Sequence, residues 1–453
     1  MGEKTIAAIS TPLGTGGVSM IRVSGEKAIE IADKCFKPFS NKSLLSFGGY
    51  EAAYGELRSG DEVIDDCVAL VFRAPKSYTG EDVVEITVHG GTLVTKKALR
   101  CLLDCGAVSA GAGEFTKRAF LNGKMDLTKA ESVISIINAK NDAALRQSRK
   151  ALDGAISSEI GGVLDRLLET AASIAAYSDF PDEDIENLNP ENFSALLKEA
   201  TDKLNRLISG FDSGRIIREG IDCAILGKPN VGKSTLMNVF SKSERSIVTD
   251  IAGTTRDVIE GTVNISGITL NLADTAGIRE TEDTVEKMGV SRAIERGKNC
   301  DIVLAVFDMS SPLDNDDKKV LSSLDKEKSI VVLNKSDLKN EVDIKPFEGC
   351  KTVMISAKDG TGVDVLCDEI KNMAIKVPLG ENETVLITER QLNTAKRALA
   401  ATKEAAAALK SGVTLDAVGV CLDDAVAALL ELTGGRVTDE VCDRVFERFC
   451  IGK

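Results

Sequence analysis

Tryptophan is absent, histidine occurs once, at His89, and aromatic residues make up only 4% of the 453-residue chain. So few flat rings argue against a platform on which single-stranded bases stack. The eleven cysteines contain no Cys-x-x-Cys pair. With a lone histidine, that spacing argues against a zinc site and against a disulfide framework, and it suits a reducing cytoplasm. No apolar run approaches the ~20 residues that cross a bilayer, so no membrane partner is expected. The opening Met1-Gly-Glu-Lys-Thr-Ile6 lacks a signal-peptide core. It also fails the myristoylation pattern, because Ile6 stands where Ser or Thr is required. The net charge of −14 works against broad, sequence-independent nucleic-acid binding. Contact with RNA is then local or supplied by a partner.

What is present is enough apolar residue, 43% against 28% charged, for a soluble globular protein of about three domains. Residues 1–120 read as an α+β unit. Val68–Phe72 and Val83–Val88 have strand character, and Ala28–Cys35 and Thr92–Cys105 have helical character. Residues 121–217 are rich in Ala, Leu, Glu and Lys with helical spacing, interrupted at Phe180–Ile185 and resumed at Pro190. Between 218 and 378 short apolar runs alternate with helices: Asp222–Leu226, Thr269–Ala273, Ile302–Phe307, Ile330–Leu333 and Thr352–Ile355. Buried strands of a mainly parallel sheet look like this. Residues 379–453 return to helix. The economical reading is one discontinuous helical domain with an α/β domain inserted into it.

The α/β segment carries three motifs in order. Gly227-Lys-Pro-Asn-Val-Gly-Lys-Ser234 is an eight-residue P-loop between a strand and a helix. Its backbone amides curl around phosphates from Asn230 through Val231, Gly232 and Lys233 to Thr235; Lys233 neutralises them and Ser234 holds magnesium. Asp274-Thr275-Ala276-Gly277 follows a strand, with Asp274 toward the magnesium shell and Gly277 toward the γ-phosphate. Asn334-Lys335-Ser-Asp337 ends a later strand, and a carboxylate at Asp337 accepts two hydrogen bonds that guanine gives and adenine cannot. Ser356-Ala357-Lys358 suits contact with the guanine carbonyl. Thr249-Asp250-Ile251-Ala252-Gly253-Thr254-Thr255 is the polar loop expected to close on the nucleotide, with Thr255 as second magnesium ligand. The motif set predicts a GTPase.

Ile278 stands where many small GTPases place the glutamine that orients water. Asn230, with backbone oxygens of the closing loop, could hold a monovalent cation in compensation; a turn-forming role is the competing account. Glu286 could orient water, and a solvated helix carboxylate is its competing account. Arg256, Asp257 and Arg279, beside the closing loops, are candidates for sensing nucleotide state or simply solvated surface.

Further motifs extend over the whole chain. They include Thr11-Pro-Leu-Gly-Thr-Gly-Gly17, Arg22-Val-Ser-Gly25, Tyr78-Thr-Gly-Glu-Asp82, His89-Gly-Gly91, Gly113-Glu-Phe115 and Arg118-Ala-Phe-Leu-Asn-Gly-Lys124. Asp179-Phe-Pro-Asp-Glu183, the loop continuing to Asp257, and the ending Phe449-Cys-Ile-Gly-Lys453 complete the set. With these the sequence resembles the MnmE (TrmE) family of bacterial tRNA modification GTPases, within the TrmE-Era-EngA-like superfamily. The resemblance implies a multidomain α+β and α/β fold: an N-terminal α+β domain that dimerises and binds a tetrahydrofolate one-carbon derivative, a discontinuous helical domain, and an inserted Ras-like P-loop GTPase domain. It implies a homodimer and a heterotetramer with the flavoprotein MnmG, which carries the FAD. Together the two add an aminomethyl or carboxymethylaminomethyl group to carbon 5 of the wobble uridine of certain tRNAs. It further implies potassium ligands at Asn230, Thr249, Ile251 and Thr254, a catalytic glutamate at Glu286, and folate contacts at Arg22, Glu85, Lys124 and Lys453.

Cys450 reads either as a small buried hydrophobe or, by the resemblance, as a nucleophile or proton shuttle beside the folate. The family's chemistry in the flanking domains competes with a second class of function, a regulatory or ribosome-assembly GTPase whose flanks do no chemistry. His89, followed by two glycines, reads as part of a turn.

Overall fold

The computed structural model describes residues 4–179, 190–242, 261–265, 268–272, 297, 300–375 and 384–453. The chain folds into two compact units. Met1–Ile134, Leu152–Ala200 and Asn393–Lys453 form the first; Ser135–Ala151 and Thr201–Leu392 form the second.

The first unit begins with a seven-stranded sheet. Its strands are β1 (Ile6–Ile9), β2 (Val18–Ser24), β3 (Phe36–Pro38), β4 (Glu51–Ser59), β5 (Glu62–Phe72), β6 (Val83–His89) and β7 (Val108–Ser109), in the spatial order β3-β4-β5-β6-β2-β1-β7. All neighbours are antiparallel except β1 and β7. Helices α1 (Ala28–Cys35) and α2 (Thr92–Asp104) sit on one face. Alternation in the strands divides the residues between the faces. Ile21 and Val23 of β2 and Val84, Ile86 and Val88 of β6 join the helix-side core. The intervening Arg22 and Glu85, opposite one another in register, are left for the other face. There Ile6 and Ala8 of β1 pack with Phe115 of α3 (Glu114–Leu121).

Helices α4 (Leu127–Ile137), α5 (Asp142–Leu152), α6 (Ala155–Asp179), α7 (Pro190–Ser209) and α8 (Phe211–Glu219) follow.

The second unit contains a six-stranded sheet of β8 (Ile221–Leu226), β9 (Thr262–Ile265), β10 (Ile268–Leu272), β11 (Ile302–Asp308), β12 (Ser329–Asn334) and β13 (Lys351–Met354). Its order is β13-β12-β11-β8-β10-β9, parallel except for the β9–β10 edge hairpin. Helices α9 (Lys233–Lys242) and α11 (Val363–Ala374) contribute Leu236, Phe240, Leu366 and Ile370 to the core on one face. Helix α10 (Asn315–Ser322) contributes Val320 to the other. Covering both faces explains why these strands are apolar at nearly every position.

The chain closes with α12 (Glu389–Lys410), α13 (Leu415–Thr433) and α14 (Asp439–Phe446). Helix α13 packs along α6.

Candidate functional site

In the second unit, β8 runs out into the P-loop at the point where the sheet order reverses, the usual crevice for ligands in an open α/β sheet. Gly227 has φ 147°, and a Cβ there would run into the Val306 carbonyl oxygen. Asn230 lies at φ 62°, in the left-handed region that Asn tolerates. The turn-forming account of Asn230 is therefore met in the backbone, while its side chain stays exposed. Lys233 opens α9 and donates its ammonium to Gly227 O at 2.8 Å and Lys228 O at 2.7 Å. Burial holds this ammonium below the usual lysine range. A desolvated cation beside the amino end of a helix is suited to a polyanion. Ser234 and Thr235 are exposed on the first turn.

Asn334, at the end of β12, is buried and links two loops. Its Nδ2 donates to Val231 O at 2.7 Å, and its Oδ1 accepts from Ala357 N at 2.9 Å. Ser356 Oγ donates to Asp337 Oδ1 at 2.8 Å, which orients an otherwise exposed carboxylate. Lys335 sits at φ 66° and pairs with Asp308 Oδ2 at 2.5 Å. Burial works against ionisation of Asp308, but Lys335 and Ser310 outweigh it and hold the carboxyl low. Lys358 is exposed beside them. The structure thus brings Asn230 to Thr235, Asn334 to Asp337 and Ser356 to Lys358 to the carboxyl ends of β8, β12 and β13, parallel strands of one sheet. Thr249 to Thr255, Arg256, Asp257, Asp274 to Gly277, Ile278, Arg279 and Glu286 lie outside the described residues.

In the first unit, Arg22 Nη2 meets Glu85 Oε1 at 2.8 Å and Nε meets the same oxygen at 2.9 Å. The guanidinium also lies 5.3 Å from the Tyr78 ring centroid and 5.6 Å from that of Phe115. Tyr78 Oη and Thr116 Oγ1 are 2.9 Å apart, and burial raises the phenol above its ordinary pKa. The C-terminal tail comes to the same face. Lys453 O accepts from Phe115 N at 3.2 Å, Cys450 O accepts from Gly113 N at 3.4 Å, and Ile451 forms a bridge with Ala112. Gly452 has φ 95°, and a Cβ there would meet the Ile9 carbonyl oxygen.

The Cys450 side is exposed, so the small-buried-hydrophobe account of it is corrected: it is Phe449 that buries beside Phe446, at a ring spacing of 5.4 Å, and turns Cys450 outward. Lys124 is exposed and donates to Pro75 O at 2.9 Å, which places it on the segment leading to Tyr78 rather than on the Arg22–Glu85 pair.

Sequence reasoning left Tyr78, Phe115 and Arg118 without roles, although all three stand in motifs it singled out. Arg118 is buried, pairs with Glu81 at 3.0 Å and Glu114 at 2.9 Å, and donates to Lys4 O at 2.9 Å. Glu81 in turn accepts from Ser24 Oγ at 2.6 Å. This network pins the 78–82 loop and α3 to the sheet. His89 is the last residue of β6, exposed and in register with Val18, with Nδ1 2.8 Å from Asp65 Oδ1; the turn reading is corrected to a strand end, the chain bending only at Gly90.

Strand order, P-loop and the Asn334-to-Asp337 loop define a Ras-like P-loop GTPase domain within a larger α/β and helical chain. The family models "GTP-binding protein TrmE N-terminus" and "MnmE helical domain" match residues 5–124 and 127–450. The tRNA modification GTPase MnmE of Carboxydothermus hydrogenoformans is 42% identical, with 100% of both chains covered. Those of Clostridioides difficile and Geobacter sulfurreducens are 41% and 43% identical, over 100% of this chain and 99% of theirs. The chain belongs to the MnmE family of tRNA modification GTPases.

Proposed function

We propose that the chain is a potassium-stimulated GTP hydrolase that works with the flavoprotein MnmG on the wobble uridine of certain tRNAs. In this reading, the pair adds an aminomethyl or carboxymethylaminomethyl group at carbon 5. The observation that carries the GTPase half is the double hydrogen bond of Asn334, which ties the P-loop to the Ser356–Lys358 loop. Phosphate and guanine subsites are thereby held as one piece. Lys233 exchanges its two carbonyl partners for phosphate oxygens when GTP enters. Asp337 accepts from the guanine edge while Ser356 fixes its orientation.

Magnesium fits the exposed Ser234 hydroxyl, with Thr255 proposed as its second protein ligand; it neutralises charge that develops on the phosphates. Potassium fits the outward Asn230 side chain, with Thr249, Ile251 and Thr254 proposed to complete its shell. Glu286 is proposed to orient water.

A tetrahydrofolate derivative fits the face made by Arg22, Glu85, Tyr78 and Phe115, where a fixed charge pair lies against two aromatic rings. It supplies the one-carbon unit. Lys124, Lys453 and the exposed Cys450 are proposed to contact it or its reaction. The proposed domains are 1–120 for folate binding and dimerisation, 121–217 and 379–453 for the helical domain, and 218–378 for the GTPase. No described helix is long and apolar enough to cross a membrane, and the cytoplasm is the proposed location.

Two measurements test the reading. GTP hydrolysis is expected to run markedly faster in potassium than in sodium at equal ionic strength, and equal rates refute the potassium site. Wobble-uridine nucleosides, measured by mass spectrometry after gene deletion, are expected to lose the modification. Unchanged nucleosides point instead to a regulatory or ribosome-assembly GTPase.

A further inference from the structure

Helix α1 ends on Cys35, and α2 carries Cys101 one turn before Cys105, so these two lie on one side of that helix. The three sulfur atoms all lie within 4.8 Å of one another, and none is in a disulfide. Cys35 and Cys101 are each 3% exposed, whereas Cys105 is half-buried. Burial as small hydrophobes accounts for each thiol singly. It does not account for three converging from two helix ends.

The spacing suits a metal. A Zn–S bond of about 2.3 Å places thiolates about 3.8–4.0 Å apart in tetrahedral or trigonal geometry. Closing from 4.8 Å needs a shift of no more than about 1 Å, within reach of side-chain rotation. The protons are already parked on backbone oxygens: Cys35 Sγ donates to Ala32 O at 3.4 Å and Cys101 Sγ to Arg58 O at 3.0 Å.

We propose that Cys35, Cys101 and Cys105 form a three-thiolate site for a thiophilic d10 cation of the Zn2+ class, entered from the Cys105 side. Soft sulfur ligands select such ions over magnesium or calcium. Binding replaces up to three S–H bonds with metal–sulfur bonds and releases those protons to solvent, without oxidation. With a divalent ion and three thiolates the site carries one negative charge, beside the Lys34–Glu30 ion pair at the end of α1.

The full chain, freshly reduced and kept free of oxygen, is titrated with Co2+ alone, followed by thiolate-to-cobalt charge-transfer absorption, and then with Zn2+ against a competing chelator. One equivalent per chain is expected. Cys105→Ala is expected to weaken binding at least about 100-fold, whereas Cys350→Ala and Cys421→Ala leave it unchanged. In the unsubstituted chain, Zn2+ is expected to shield Cys105 from alkylation, read by peptide mapping, so a poorly folded variant does not decide the matter. Absence of stoichiometric binding, binding untouched by Cys105→Ala, or alkylation of Cys105 at equal rates with and without Zn2+ each overturns the proposal.

Discussion

Asn334 Nδ2 and Val231 O are 2.7 Å apart, so a residue of the guanine-reading motif closes the P-loop from behind. Because Asn334 is also held by Ala357 N, its replacement by alanine strands two buried backbone groups at once. Asn334→Ala is expected to destabilise the GTPase unit by about 2 kcal/mol and to weaken nucleotide binding together with it. Denaturant unfolding and titration with a fluorescent GDP analogue check this. A variant as stable as the parent counts against the linking role.

Asp337 lies within reach of Ser356 Oγ at 2.8 Å. A carboxylate accepts from both N–H groups on the guanine edge; an amide accepts one and donates to the other position. Asp337→Asn is expected to lose GTP affinity by at least about 30-fold, near 2 kcal/mol for a charge-assisted hydrogen bond. It is expected to gain affinity for xanthosine triphosphate, which offers a carbonyl there. Competition binding with the two nucleotides reads the exchange.

Arg22 and Glu85 have side chains only 11% and 19% exposed. Arg22→Met leaves a carboxylate with its main partner gone and is expected to cost about 3 kcal/mol. Arg22→Met/Glu85→Met is expected to recover most of that stability. Both variants are expected to lose binding of a tetrahydrofolate derivative, measured by calorimetry. Retained folate binding in the double variant would remove the pair from the proposed site.

Asp314 caps α10 through the Asp316 and Asp317 amides and pairs with Lys228 at 3.0 Å. The Asp317 amide first, and then the Lys228 ammonium, lowers its carboxyl from 3.8 to about 2. A folded pKa below the unfolded one stabilises fully above about pH 4, and that contribution disappears as pH falls through about 2. Its side chain is 54% exposed, so screening makes the effect modest. Urea midpoints between pH 2 and 5 are expected to fall more steeply for the parent than for Asp314→Ala; parallel curves refute the assignment.

Gly452 has no room for a Cβ against Ile9 O. Gly452→Val is expected to lift the tail off Ala112 and Phe115, exposing Phe449 to proteolysis while GTP hydrolysis in the other unit continues. Mass mapping of limited digests follows the tail directly. A tail as resistant as the parent's means that the backbone accommodates the larger residue.

The GTPase half was legible in the sequence because each of its loops is a run of consecutive residues whose chemistry is local. The strands that carry them were legible too, being apolar at nearly every position. β9 was not: it is a four-residue edge strand paired on one side only. β4 was hidden as well, since Glu51–Ser59 mixes alanine, glycine and charge. The meeting of Cys35 with Cys101 and Cys105 was not legible either, because it arises only when two helices dock on one sheet. The rings around Arg22 were equally invisible: Tyr78 and Phe115 reach it through tertiary packing, not through any local pattern.

Helix α13 packs on α6, and Lys117 pairs with Asp443 at 2.6 Å, across the whole inserted segment. A ribosome delivers Thr201–Leu392 complete before either partner at the far side exists. The first unit therefore waits, half-built, while the second folds as a body of its own. Once compact, that body shortens the effective loop, and doubling a loop adds only about 0.6 kcal/mol in any case. The delay is a matter of time rather than of stability: α6 holds an uncovered apolar side for as long as translation of the insert takes, and a chaperone that binds such surfaces has its window there.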